Sequence, residues 1–478
     1  HFVLPLPPPG AEREAELLGR YQTIQTFLAG SKKFGAQRRA SEALAARIGL
    51  DNLARAAGYP DALRLTWAME GREMAEWLAG PLAAVAGDVS VQMTLNEVGA
   101  PELRAERAGR RLKSIPPAVR QDPAVAELTA RAKAIEKQQK RMRLALEAAM
   151  CREEVFYAAE LRRLLAHPTL APMLAQLVWV GDGGLGYPAD GGAALLAPDG
   201  RRTPLADDAP LRIAHPYDLF HSGQWSLWQH DCFRAERIQP FKQVFRELYL
   251  LTPAEVADGD RSRRYAGQQV QPRQAAALLS GRGWIIRHDE GVQRTFHERG
   301  IVATIGFLGD LFTPGEVEGV TLETVSFGRP GEWWNPLPLA DVPPLVFSEV
   351  MRDLDLVVSV AHSGGVDPEA SASTVESRAA LLRETLDLLR LGNVRLDGRH
   401  ALIEGVLGSY SVHLGSGVVH RRPGGAVCII PVHSQHRGRL FLPFADDDPK
   451  TAEVMSKVLL LARDDQIRDP TILEQLLS

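Results

Sequence analysis

Near the end of the chain, histidines and arginines gather around one glycine turn. Tyr410–His420 (YSVHLGSGVVH) alternates so that Tyr410 and Val412 share one strand face, with Ser411 and His413 on the other. Gly415-Ser416-Gly417 reads as a tight turn joining two antiparallel strands, since glycine admits positive φ without steric cost. His413 and His420 flank it, and Arg421, Arg422, His433, His436 and Arg437 follow. A basic sheet face beside such a turn is a candidate anion site, with Gly415, Ser416, Gly417 and His420 as contacts. His413, Arg437 and a carboxylate such as Asp447 would be the catalytic set of an enzyme acting on a phosphate-bearing or nucleotide substrate. The plainer reading is a hairpin whose polar residues face water.

A second candidate lies at residues 101–143, where twelve Lys and Arg stand against five Asp and Glu, a local charge of +7. Lys133, Lys137, Lys140 and Arg141 are candidate contacts to nucleic acid or an acidic partner, made through charge alone. A solvated helix face accounts for the same run, and the absence of interleaved aromatics argues against a base-stacking surface.

Other clusters carry less. His215, His221, His230 and Cys232 have no paired ligand spacing, so no metal site is predicted. In Gly181–Gly192 (GDGGLGYPADGG), Pro188, Asp190 and Gly191-Gly192 lead into a strand-like Ala193–Ala197 where a dinucleotide fingerprint needs a helix. It reads as a hairpin, and no cofactor is predicted. Asp446-Asp447-Asp448 precede a helix, where carboxylates cap free amides and meet the positive dipole end; a divalent-cation site is the alternative.

Composition limits the classes. With 478 residues, 45% hydrophobic and 24% charged, the chain can hold several cores. A net charge of −4 argues against attraction of the whole surface to nucleic acid or lipid. Only nine of the 55 basic residues are Lys, which fits GC-rich coding. Cys151, Cys232 and Cys428 are sparse and odd in number, as in a reducing cytoplasm. No run approaches the ~20 apolar residues of a membrane span. The start, HFVLPLPPPG, has neither Met nor a basic leader, so a longer polypeptide is expected.

The elements that must position these residues follow from periodicity. Helical patterning covers Ala11 to about Gly80 and about Pro123 to Met150, with a strand pair near Val89–Leu95. Leu174–Val180 reads as a buried strand, and Trp284–Arg287, Val302–Phe307 and Val320–Phe327 as strands. Asp353–Ala361 (DLDLVVSVA) reads as a central strand, apolar on both faces. Gly364–Ser373 reads as a linker. A helix at Thr374–Leu391, strands at Val394–Leu396, Ala401–Glu404, Ser409–Leu414, Val418–Arg421, Val427–Pro431 and Leu440–Pro443, and a helix at Lys450–Ala462 complete the chain. The expected fold class is α+β: a mainly helical part over 1–165, a mixed α/β part over 166–365 and a compact α/β domain over 366–478.

Several strings carry a family resemblance. They are SKKFGAQRRASEALA (Ser31–Ala45), LDNLARAAGYPDALRLTWAMEG (Leu50–Gly71), LKSIPP (Leu112–Pro117), HPTLAPMLAQLVW (His167–Trp179), QPFKQVFRELYLLT (Gln239–Thr252), YSVHLGSGVVH (Tyr410–His420) and Phe441–Leu473. Across nearly the whole chain they resemble the bacterial domain-of-unknown-function family DUF4132, related to the MolR proteins and associated with WGR domains. The resemblance implies the C-terminal portion of a larger protein and no particular activity. The expected function is therefore an intracellular interaction or regulatory module. Its partners would be other segments of the same larger chain or of a complex, with nucleic acid allowed and no membrane.

Overall fold

The computed structural model describes residues 5–477 except 80–81, 97, 288–290, 310, 312–318, 362–371, 423–425, 428, 430–440 and 446–447. The chain is α+β, helical at its start and rich in antiparallel sheets thereafter. Helices α1 (Ala11–Gly30), α2 (Ala36–Ala57) and α3 (Ala62–Ala79) pack through Leu17, Tyr21, Leu53, Leu65 and Met69. Gly58, at φ 84°, ends α2 in a left-handed conformation that glycine adopts freely.

A meander of β1 (Ala83–Ala86), β2 (Val89–Leu95), β3 (Pro101–Arg107) and β4 (Arg110–Arg111) follows, so the expected strand pair is half of a four-stranded sheet. The charged PELRAER string of β3 hides the alternation, because in it only Ala105 is fully buried. After the short α4 (Pro117–Arg120) comes α5 (Pro123–Arg152), thirty residues long. Asp122 caps it by accepting from the Ala124 and Val125 amides, and Pro123 takes the first position, where a missing N–H costs nothing. The first half of α5 covers the meander through Val125, Leu128, Ala132 and Ile135. Its second half enters another core through Met142, Leu146 and Met150, among Trp67, Phe156 and Trp179.

That second core contains β5 (Phe156–Tyr157), α6 (Ala158–Leu164) and α7 (Leu170–Ala175), and a sheet completed by β6 (Trp179–Gly181), β7 (Gly184–Ala189), β8 (Ala194–Leu196), β9 (Arg202–Pro204) and β10 (Pro210–Ile213). The glycine-rich stretch is a hairpin, β6 pairing with β7. The expected strand at Leu174–Val180 is helical at its start. His167 Nδ1 accepts from the Thr169 and Leu170 amides, so α7 begins there, and only Trp179 onward is extended.

Short helices α8 (Pro216–His221), α9 (Trp225–Arg234) and α10 (Pro253–Asp258) lead to a sheet of β11 (Arg261–Ser262), β12 (Gln269–Val270), β13 (Ile285–Arg287), β14 (Gly291–Phe296), β15 (Ile301–Leu308) and β16 (Val320–Gly328). Helices α11 (Pro272–Gly281) and α12 (Pro344–Ala361) cover it. The central strand expected at Asp353–Ala361 is the last half of α12. A helix buried on nearly all sides shows the same continuous apolar run as a central strand.

The expected linker lies almost wholly outside the described residues. α13 (Ala372–Leu389) then precedes a meander of β17 (Val394–Asp397), β18 (His400–Glu404), β19 (Ser409–His413), β20 (Val419–Arg422) and β21 (Ala426–Val427). Phe441–Pro443 forms no strand; a single parallel bridge joins Phe444 to Gln239. Helices α14 (Pro449–Leu461) and α15 (Pro470–Leu477) close the chain. One apolar cluster takes Val178, Trp228 and Phe245 together with Tyr410, Val454 and Leu476.

Two helical glycines give opposite expectations. A Cβ on Gly71 in α3 would sit 2.8 Å from His167 Cδ2, whereas one on Gly19 in α1 would meet nothing within 4 Å. Gly19→Ala should stabilise the protein by up to about 1 kcal/mol through helix propensity. Gly71→Ala should instead cost about 1–3 kcal/mol through overpacking. Chemical denaturation of both variants checks the sign.

Candidate functional site

Gln239–Tyr249 has no helix and no strand beyond its one bridge, yet nearly every residue in it is buried. Irregular chain withdrawn from water needs partners for all its polar groups. Two glutamines supply many of them. Gln243 Nε2 donates to the Val178 and Ala214 carbonyls at 2.9 and 2.7 Å, and its Oε1 accepts from the Val178 amide at 2.9 Å. Gln239 donates to the Gln176 carbonyl and to Gln243 Oε1, and its own oxygen accepts from the Val244 amide.

Two buried cations, Arg246 and Lys242, and the half-buried Arg352 anchor the same segment. Arg246 donates to Glu349 through Nε at 2.9 Å and Nη2 at 2.7 Å, and to Glu147 through Nη1 at 2.7 Å. Cys151 Sγ lies 3.2 Å from Glu349 and 3.4 Å from Arg246 Nη2. Lys242 bonds Glu247 and, at 3.0 Å, Asp448. Arg352 reaches Glu247 at 3.3 Å and Glu147 at 3.8 Å. The network thus ties α5, α12 and the start of α14 to one loop.

His215 completes it. Its Nδ1 accepts from the Tyr217 amide at the start of α8, and its Nε2 stands 3.1 Å from Glu349. With Nδ1 as acceptor, Nε2 carries the proton and donates to the carboxylate. Burial lowers the His215 pKa, so the ring is neutral. Burial would raise the Glu349 carboxyl, but Arg246 and His215 hold it well below the usual range. Burial pushes the Cys151 thiol up and the Cys232 thiol up to about 12, far from the thiolate a nucleophile needs. The arrangement is suited to holding chain segments together, with every donor and acceptor of His215 occupied.

The glycine turn has the expected connectivity. β19 pairs with β20, and His413 lies on the face opposite Tyr410 and Val412. Its Nδ1 meets Ser416 Oγ at 2.9 Å and accepts from the Ser416 amide at 3.1 Å. The Gly417 amide donates to the His413 carbonyl and the Val418 amide to Ser416 Oγ. Arg378 donates to the Leu414 and Gly415 carbonyls, and Lys457 to that of Gly417. The turn therefore offers carbonyls to buried cations, and the amides of residues 416–418 are spent within it. His420 is exposed, facing Ser411 across the strands. Arg437, Asp447, His433, His436 and Cys428 lie outside the described residues.

Other candidates are dispersed. His230 pairs with Glu384, His221 packs on Tyr217, and Cys232 lies 3.6 Å from the Tyr187 hydroxyl. Among the described residues, no three His, Cys, Asp or Glu side chains are grouped to hold a metal ion. Asp448 accepts from the Thr451 amide as the cap of α14. Asp464 clamps a loop by accepting from the Val406 and Leu407 amides and the Tyr410 hydroxyl. Lys133, Lys137 and Lys140 are exposed along α5, and Arg141 is committed to buried Glu70. The network residues were missed by sequence reasoning; their signal was the charges of FKQVFREL set among aromatic and aliphatic neighbours.

The architecture is thus a mixed α+β assembly in which α5, α12 and the start of α14 meet at a buried ionic junction. Residues 109–284 match the family described as "Domain of unknown function (DUF4132)", the resemblance that the sequence strings carry. The strings to either side fall largely under other families. Residues 2–69 match "Family of unknown function (DUF5724)" and residues 375–476 match "Domain of unknown function (DUF7737)". No curated protein matches the chain, and no solved structure does.

The buried histidines set a pH dependence. Burial lowers His167 from 6.5 to about 4, with His215 lowered as well. A depressed histidine pKa means the unfolded chain binds more protons across that window, so stability falls as pH falls from about 6.5 toward 4. Carboxylates held low, including Glu349 and Asp448, extend the loss below about pH 4.5. His167→Asn keeps an acceptor for the cap and should flatten the stability profile between pH 6.5 and 4. Urea midpoints measured at half-unit pH steps test it; an unchanged slope would contradict the assignment.

Proposed function

We propose that this chain is an interaction module of a larger polypeptide and takes an acidic or polyanionic partner on the outer face of α5. The observation that supports this reading is the row Lys133, Lys137 and Lys140. These side chains are exposed and in no ion pair among the described residues, while the opposite side of the helix is fixed by two cores. Steps of four and three residues align them along one side of a helix, over about 10 Å. With near-neutral total charge, such attraction belongs to local basic surface and not to the whole chain. Recognition would be by charge, so nucleic acid and acidic protein segments are both admitted.

No helix among the described residues is long and apolar enough to cross a membrane. The catalytic reading at the glycine turn gains no support from His413, whose ring caps that turn.

The test is fluorescence anisotropy with a labelled DNA duplex and with labelled polyglutamate, at about 50 mM and 200 mM salt. At least one probe should bind at low salt and weaken steeply with added salt, without dependence on base sequence. Reversal of all three lysines to Glu should remove the binding. Absence of binding by either probe at low salt would end the proposal.

A further inference from the structure

A second basic site, separate from the α5 face, lies where β4 leaves β3. The register pairs Glu106 with Arg111 and Arg107 with Arg110, and the Leu112 amide still donates to the Ala105 carbonyl. The chain then bends at Lys113–Ser114 and runs into Ile115-Pro116-Pro117. Proline has no N–H for a ladder, so β4 cannot continue alongside the first half of β3. Pro101–Arg104 pairs with β2 on one side and, among the described residues, has no strand on the other.

The fork so created is an open cavity of about 440 Å³. Arg104, Arg111, Lys113 and Ser114 line it together with Leu103 and Ile115, and no carboxylate does. Arg104 already holds Glu102 at 3.0 Å, whereas Arg111 and Lys113 are exposed and in no ion pair among the described residues. Its volume is within the range of binding sites. No aromatic side chain lines it, so nothing there would stack a nucleobase.

We propose that this fork binds an extended acidic peptide segment, which adds to β3 as a strand in the place that β4 vacates. An unpaired strand edge supplies backbone donors and acceptors for such an addition. A two-residue alternation in the peptide would set apolar side chains against Leu103 and Ile115, and carboxylates toward Arg111 and Lys113. Charge complementarity selects an acidic segment over a basic one.

The probe is a peptide of roughly eight residues alternating Val and Glu, a usual strand length, with a Val/Lys peptide as control, titrated into the full chain. The Val/Glu peptide should bind, the Val/Lys peptide should not, and hydrogen exchange should slow across residues 102–105. Arg111→Glu with Lys113→Glu should weaken binding at least about tenfold, as opposed charges become like charges. The Lys133, Lys137 and Lys140 reversal should leave it intact, which separates this site from the α5 face. Equal binding of both peptides, or unchanged affinity in the Arg111/Lys113 variant, would overturn the proposal. So would inorganic pyrophosphate displacing the peptide with no exchange protection over 102–105, since that marks a small-anion site.

Discussion

An irregular, polar stretch of chain cannot be buried unless each of its donors and acceptors is matched, and Gln239–Tyr249 imposes that demand on the molecule's interior. Gln239 and Gln243 meet it with side-chain amides that stand in for a sheet ladder, linking Gln176, Val178, Ala214 and Val244. Lys242 and Arg246 meet it with charge, which in turn requires Glu147, Glu247, Glu349 and Asp448 to be placed around them. Buried ion pairs do not by themselves make a protein more stable than an apolar core of equal volume. Here they join the loop to α5 through Glu147, to α12 through Glu349 and Arg352, and to the start of α14 through Asp448.

Where hydrophobic pattern decides structure, the sequence was readable. The two-residue alternation of Ser409–His413 and the amphipathic stretch before Arg152 appear as expected, because each needs only its own residues to define which side is buried. Asp353–Ala361 was misread since a short, mostly apolar run is common to a buried strand and a buried helix, and its nine residues alone fit either. The eighteen-residue length of α12, beginning at Pro344, distinguishes it. β3 was missed for the opposite reason, as its half-exposed charged residues leave little apolar pattern.

The junction was legible only in the charges of FKQVFREL. Its members stand at positions 147, 151, 215, 242, 246, 247, 349, 352 and 448, and no local spacing brings the distant ones together. His215 was weighed as a metal ligand with neighbours in sequence, while its real partner, Glu349, is 134 residues away. His413 shows the converse. Its strand face was correctly read, but its role as the cap of its own turn depends on the Ser416 amide turning inward. Chemistry-bearing residues are informative from sequence only when the neighbours that saturate them are also local.

If the Arg246–Glu349 pair is the interaction on which the interior depends, a double-mutant cycle will show it directly. Stability should be measured for Arg246→Met, for Glu349→Leu and for the two together. Each single change leaves a charge buried without its partner and should cost about 3–5 kcal/mol. The double variant should be more stable than the sum of the singles predicts by at least about 2 kcal/mol. Additivity within about 0.5 kcal/mol would mean that the two side chains are not coupled, and the account of the junction would fail.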